Sequence, residues 1–237
     1  MQIHKQIKFN FSTDQCLFPP TPAIKNIPDW YKNTPSYSNP EIGKKFSIID
    51  NERSTSHTIK KCMPIYDAMT AGYILYTQVD VQVEQRNGSP YYSWAGLNAI
   101  SFHPVIQTGL YPNLKNNYDI PKWNLNLTLE TSKGYSCLFI NPMHNTNNFF
   151  TIFPGIVDTD VYVSNINFPF TLNNPNWEGI IPAGTPVAQV IPFKRDSWKN
   201  EVTFNKKNKK RIFANLVSNS IFFNGYKKYF WIKKEYG

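Results

Sequence analysis

Cysteine and histidine are scarce in this sequence, three and four residues among 237, and neither type clusters. Cys16, Cys62 and Cys137 lie far apart and are odd in number, which argues against a disulfide framework or a cysteine-rich zinc site. They suit structural thiols in a reducing compartment. His103 and His144 show no ligand spacing, so no metal site is expected. Glycine is sparse as well, at 11 residues, and none falls in a phosphate loop of the Walker or dinucleotide-binding type. No serine or cysteine sits in a nucleophile elbow. No apolar run approaches the length of a membrane span, and no basic segment precedes one at the N-terminus. The expectation is therefore a protein without a membrane span or signal peptide, not secreted.

Aromatic residues are plentiful instead, 16% of the chain with 17 Phe and 14 Tyr, and hydrophobic residues reach 41%. That is enough strand-favouring material for one sizeable packed domain. Asn is abundant and Lys, Ile, Tyr and Phe are frequent. This bias resembles proteins of AT-rich genomes, among them many phages and large viruses.

The net charge of +9 is unevenly placed. Residues 1–193 hold 13 basic and 13 acidic side chains, and residues 194–237 hold 12 and 3, so the whole excess lies in the last segment. Lys206, Lys207, Lys209, Lys210 and Arg211 form a basic run there. Such a run suits a polyanion or an acidic protein partner, or else a solvated helix face, since no nucleic-acid readout motif accompanies it.

Prolines at 19, 20, 22, 28, 35 and 40 forbid a long helix and predict an extended arm over residues 1–45, pinned to a surface by Ile27, Trp30 and Tyr31. From 46 to 193 short apolar runs alternate with turn signals, with no helical segment between them. Trp123, Leu125, Leu127 and Leu129 alternate with polar residues, as do Val79, Val81 and Val83, the period of two of a strand with one wet face. Asn87-Gly88 and Lys133-Gly134 mark turns. The pattern predicts an all-β sandwich, jelly roll or barrel. After Phe193, Ile212, Phe213, Leu216, Val217 and Ile221 recur at helical spacing, with Gly225 as a stop, so residues 194–237 read as a basic helical extension.

Three segments in order carry a family resemblance. Asp67-Ala68-Met69-Thr70-Ala71-Gly72-Tyr73-Ile74-Leu75 is followed by Lys133 to His144 with its Asn141-Pro142. Then come Pro154-Gly155-Ile156-Val157-Asp158-Thr159-Asp160-Val161-Tyr162 and Ile181 to Ile191 with its Ala188-Gln189. These resemble the blocks of the trimeric dUTPase and dCTP deaminase superfamily. The resemblance implies an all-β core of the dUTPase-like distorted jelly-roll or β-clip type, in which the third segment forms a hairpin pairing with the Ala188-Gln189 strand. It also implies a homo-oligomer, a trimer by analogy.

By that resemblance Asp158 is the water-activating carboxylate, Tyr162 the ring beneath the nucleoside, and Asp160, His144 and Gln189 further nucleotide contacts. Several departures count against activity. Ile74 replaces an acidic residue, Met143 and His144 stand where the family has Arg and Ser, and no glycine-rich closing arm follows. The cation and hydroxyl that would orient phosphates are missing. Asp158 and Asp160 equally suit a structural role, capping a turn.

Two readings follow. The first is a non-catalytic structural protein without cofactor, oligomeric and associated with other particle proteins in a virion or host cytoplasm. The second is a divergent deoxynucleotide pyrophosphatase or deaminase using Asp158 with Mg²⁺.

Overall fold

The computed structural model describes residues 5–12, 16–38, 58–108, 119–202, 209–218 and 225–236. The chain divides into two compact units, one of Met1–Asn26 with Ala71–Arg195 and one of Ile27–Thr70 with Asp196–Gly237. The divisions fall after Asn26, Thr70 and Arg195.

The first unit is built of antiparallel sheets. β1 (Ile7–Phe11) pairs with β8 (Leu127–Thr131). A four-stranded sheet runs in the order β10 (Phe150–Ile152), β12 (Asn167–Leu172), β7 (Ile120–Asn124), β6 (Ile100–His103). A five-stranded sheet runs β11 (Gly155–Val157), β9 (Tyr135–Ile140), β14 (Pro186–Lys194), β3 (Tyr73–Tyr76), β2 (Thr21–Pro22). A smaller sheet runs β13 (Gly179–Ile181), β4 (Val81–Arg86), β5 (Ser89–Trp94). The all-β expectation holds for this unit.

All four sheets turn apolar side chains into one core that includes Leu75, Val81, Val83, Trp123, Phe139, Phe170 and Val190. Trp123 stacks on Phe170 at 4.9 Å between ring centroids and 16° between planes, and Phe150 packs against both at 5.1 and 5.3 Å. Each such pair contributes about 0.5–1.5 kcal/mol beyond area burial. Asn87 and Gly88, at φ 52° and 76°, form the expected turn between β4 and β5, where a positive φ at both central residues matches strand twist.

Several expectations are corrected. Trp123 to Leu129 is two strands: Asn126 turns left-handed at φ 51°, and β7 pairs with β6 and β12 while β8 pairs with β1. Tyr73 to Val83 likewise divides into β3 and β4. The stretch at Gly155 forms no hairpin. β11 pairs with β9, the chain then crosses to β12 in another sheet, and β9 separates β11 from the Ala188-Gln189 strand within the same sheet.

The second unit contains helices. Asp29–Asn33 is a single short helix entered from Pro28, as the proline spacing allows. Met63–Thr70 is helical although no helix was expected between residues 46 and 193. Pro64 falls in its first turn, where a missing N–H costs nothing, and Met63, Met69 and Thr70 are its buried face. Lys209–Ser218 is helical as expected. Gly225 opens a helix, Gly225–Tyr229, instead of closing one. Among the described residues no helix is long and apolar enough to cross a membrane.

Candidate functional site

The antiparallel register of β9 and β14 sets Lys194 opposite Tyr135, and that of β11 sets Val157 opposite Cys137. The residues just past these pairs therefore meet at one end of the five-stranded sheet. Arg195 leaves β14 there, Asp158 leaves β11, and the Ser132–Gly134 turn enters β9.

A dense polar cluster results. Arg195 grips Asp160 with both arms of its guanidinium, each at 2.6 Å, and donates also to the Tyr135 carbonyl at 3.2 Å and the Ser136 hydroxyl at 3.1 Å. Its own N–H reaches the Gly134 carbonyl at 2.8 Å, while the Gly134 N–H donates to Asp160 Oδ2 at 2.8 Å. Asp158 accepts from Ser136 Oγ at 2.6 Å and lies 3.3 Å from Arg195. Its carbonyl accepts from the N–H groups of Val161 and Tyr162, closing a tight turn.

Below that turn, Thr159 is buried, with its hydroxyl 2.8 Å from that of Thr131 and 3.4 Å from Cys137 Sγ. Burial pushes the Cys137 thiol up, in keeping with a structural thiol.

The Asp160 side chain is 3% exposed. The bidentate hydrogen bonds from Arg195, and then the Gly134 N–H, hold its carboxyl at about 2, below the ordinary 3.8. A depressed carboxyl adds stability above its unfolded value and loses it as pH falls through the folded one. The difference in Tm between the native chain and Arg195→Gln should therefore be constant above about pH 5 and shrink as pH falls from about 4 to about 2. Thermal melts across that range check it; a constant difference down to pH 2 would contradict the pairing.

The expected nucleotide contacts do not gather around Asp158. Asp160 and Tyr162 share its turn, but Gln189 stands opposite Ile140 at the far end of β9, five residues from Tyr135. At about 3.3 Å per residue that is roughly 17 Å. Gln189 is buried; its Oε1 accepts from the Met143 N–H at 2.8 Å and its Nε2 donates to the Ala71 carbonyl at 2.7 Å. His144 is exposed at φ 59° in the turn closed by the Asn145 N–H on the Pro142 carbonyl.

Among the described residues no three His, Cys, Asp or Glu side chains come together. Of the basic run, Lys206 and Lys207 lie outside the described residues, and Lys209, Lys210 and Arg211 are exposed on the first turn of their helix.

Arg195 is the residue that sequence reasoning missed. Its signal was an arginine one step beyond an apolar strand, in a chain with four arginines. The register that aims it at Asp160 is a tertiary property.

No family model matches the sequence, and no curated protein matches it. Solved structures similar to the chain include phage dUTPases. A mutant dUTPase from phage phi11 of S. aureus aligns at TM-score 0.29 and 11% identity, over 58% of this chain and 84% of that one. A mutant dUTPase of Staphylococcus bacteriophage 80alpha with dUpNHpp aligns at TM-score 0.29 and 13% identity, over 59% and 78%. A further 80alpha dUTPase mutant with the same ligand gives TM-score 0.28 and 11% identity over the same shares.

Proposed function

We propose that this chain is a non-catalytic structural protein on a dUTPase-like jelly-roll or β-clip scaffold, one that associates with further copies of itself within a phage or virus particle. The observation that carries the reading is the state of Arg195. Its guanidinium fork is spent on Asp160, Ser136 and the Tyr135 carbonyl, so the cation beside Asp158 is already engaged by protein groups. A hydrolase of phosphoanhydrides needs cations aimed at the phosphates as well as a carboxylate aimed at water. Here carboxylate and cation serve each other.

Association is supported by the same end of the sheet. β11 is an edge strand, and Ile156 on it and Val161, Tyr162 and Val163 after it are 62%, 69%, 45% and 77% exposed. Apolar residues grouped on an open strand edge are the usual mark of an interface between chains. The basic run of the sequence, of which Lys209, Lys210 and Arg211 are exposed, suits an anionic partner.

Native mass measurement should give an oligomer, and Ile156→Lys with Val163→Asp should release monomers at least tenfold more readily on dilution, since each places a charge in an apolar contact. A native chain that is monomeric at high concentration would overturn the association. The alternative reading, a nucleotide hydrolase using Mg²⁺, draws on the Asp158 side chain being 56% exposed. Incubation with deoxynucleoside triphosphates and Mg²⁺ separates the two. Turnover that disappears in Asp158→Asn would establish the enzyme; none is expected.

A further inference from the structure

The second unit contains a cleft of about 340 Å³ lined by Tyr31, Lys60, Lys61, Tyr66, Lys227 and Trp231, with Met63 at its wall. Its charge has one sign. Three lysines face it, and among the described residues no carboxylate lines it and the ion pairs leave Lys60, Lys61 and Lys227 out. Among the described residues, the acids Asp67 and Asp29 of this unit are engaged elsewhere. Asp67 accepts from the indole N–H of Trp231 at 2.9 and 3.0 Å and pairs with Lys234, and Asp29 pairs with Lys32.

The groups are also held in place. Lys60 lies in the Ile59–Lys61 turn capped by the Thr58 hydroxyl, and its ammonium donates to the carbonyls of Tyr31 and Lys32 at 2.6 and 2.8 Å, which leaves one N–H to offer. The Asp67 carboxylate holds the indole N–H of Trp231. Lys227 Nζ and Lys234 Nζ lie over the Trp231 ring, 5.8 and 5.9 Å from its centroid, and Lys60 Nζ lies over the Tyr31 ring at 4.7 Å, so cations and aromatic rings already stand in contact at the cleft. Tyr66, partly exposed, adds a second aromatic wall and is supported by the buried Tyr31, 6.4 Å away at 36°.

We propose that this cleft binds a phosphate monoester carried by a planar ring. Ammonium groups paired with no carboxylate among the described residues attract the dianion, while the indole and phenol walls take the ring. The volume sits at the low end for small-molecule sites, roughly 300–1,000 Å³, which admits one ring with one phosphate and excludes a polymer. The chemistry is shared by a mononucleotide and a phosphotyrosine side chain. The site lies wholly in the second unit and is independent of the scaffold reading above.

The test is calorimetry on the full chain with phenyl phosphate, inorganic phosphate, phenol, adenosine monophosphate and phosphotyrosine. Phenyl phosphate should bind at least tenfold more tightly than inorganic phosphate or phenol, and whichever of the last two probes binds more tightly identifies the natural source. Lys61→Gln with Lys227→Gln, neither of which holds a backbone carbonyl, should weaken phenyl phosphate tenfold or more with circular dichroism unchanged. Lys60→Gln should do the same, and is judged only if its melt is native-like. Absence of phenyl phosphate binding, equal affinity for inorganic phosphate, or undiminished binding in the double variant would overturn the proposal.

Discussion

Gly72→Ala is expected to lose roughly 3 kcal/mol or more of folding stability, and so to accumulate as unfolded or aggregated chain. Gly72 opens β3 at φ 68°, a region that costs a side-chain-bearing residue about 1–2 kcal/mol by itself. The space is closed as well. A Cβ built there falls 1.8 Å from the carbonyl oxygen of Val190 and 2.8 Å from its carbonyl carbon, so backbone rather than a pliable side chain must give way. Val190 pairs with Tyr73 across β14 and β3 and with Phe139 across β14 and β9, which means retreat would disturb the centre of the five-stranded sheet. Gly88→Ala is the control. It shares a positive φ, 76°, with nothing within 4 Å of the added carbon, and should cost only the conformational part. Urea unfolding of both variants decides the point, and equal midpoints would show that the close approach at Gly72 is absent.

Gly72 was marked in the sequence only as part of the segment that carries the family resemblance, and the physical reason for a glycine there is general. Positions where backbone meets backbone admit one residue type. Period-two burial was legible directly: Trp123, Leu125, Leu127 and Leu129 are all buried and the polar residues between them are partly exposed. The break at Asn126 was not, because the alternation of side chains continues while the hydrogen-bonding partners change from β6 and β12 to β1. The Met63–Thr70 helix escaped notice because two turns are too few to display a period, and its Pro64 reads as a breaker unless the helix start is already known.

For the candidate site the pair Asp158 and Asp160 could be found from residue types, and their separate fates could not. Asp160 is sealed beneath a guanidinium that arrives from a strand 35 residues later, while Asp158 keeps a face to solvent. Nothing within Asp158-Thr159-Asp160 distinguishes the two. Strand length is likewise invisible to a motif: His144 and Gln189 were grouped with Tyr162 by family pattern, yet β9 runs its whole length between them.

Gln189→Leu should destabilise the first unit by roughly 2–4 kcal/mol, since it removes at least the hydrogen bonds to the partly buried Met143 N–H and Ala71 carbonyl, at about 1–2 kcal/mol each. Gln189 is 1% exposed and ties the turn after β9, through the Met143 N–H, to the start of β3, through the Ala71 carbonyl. Leucine fills the volume and satisfies neither. Gln189→Glu sharpens the test by splitting the two bonds. A carboxylate still accepts from Met143 but faces the Ala71 carbonyl without a proton, so at neutral pH this variant should be less stable than Gln189→Leu. The buried carboxyl would have its folded pKa raised above its unfolded value. Its penalty is therefore greatest above the folded pKa and relieved as pH falls below it, where the protonated acid donates to Ala71 as the amide did. Melts at neutral and mildly acidic pH should thus draw Gln189→Glu towards the native chain while leaving Gln189→Leu where it was. A Gln189→Leu chain as stable as the native one would move this side chain from the framework back to the roster of residues free to contact a ligand.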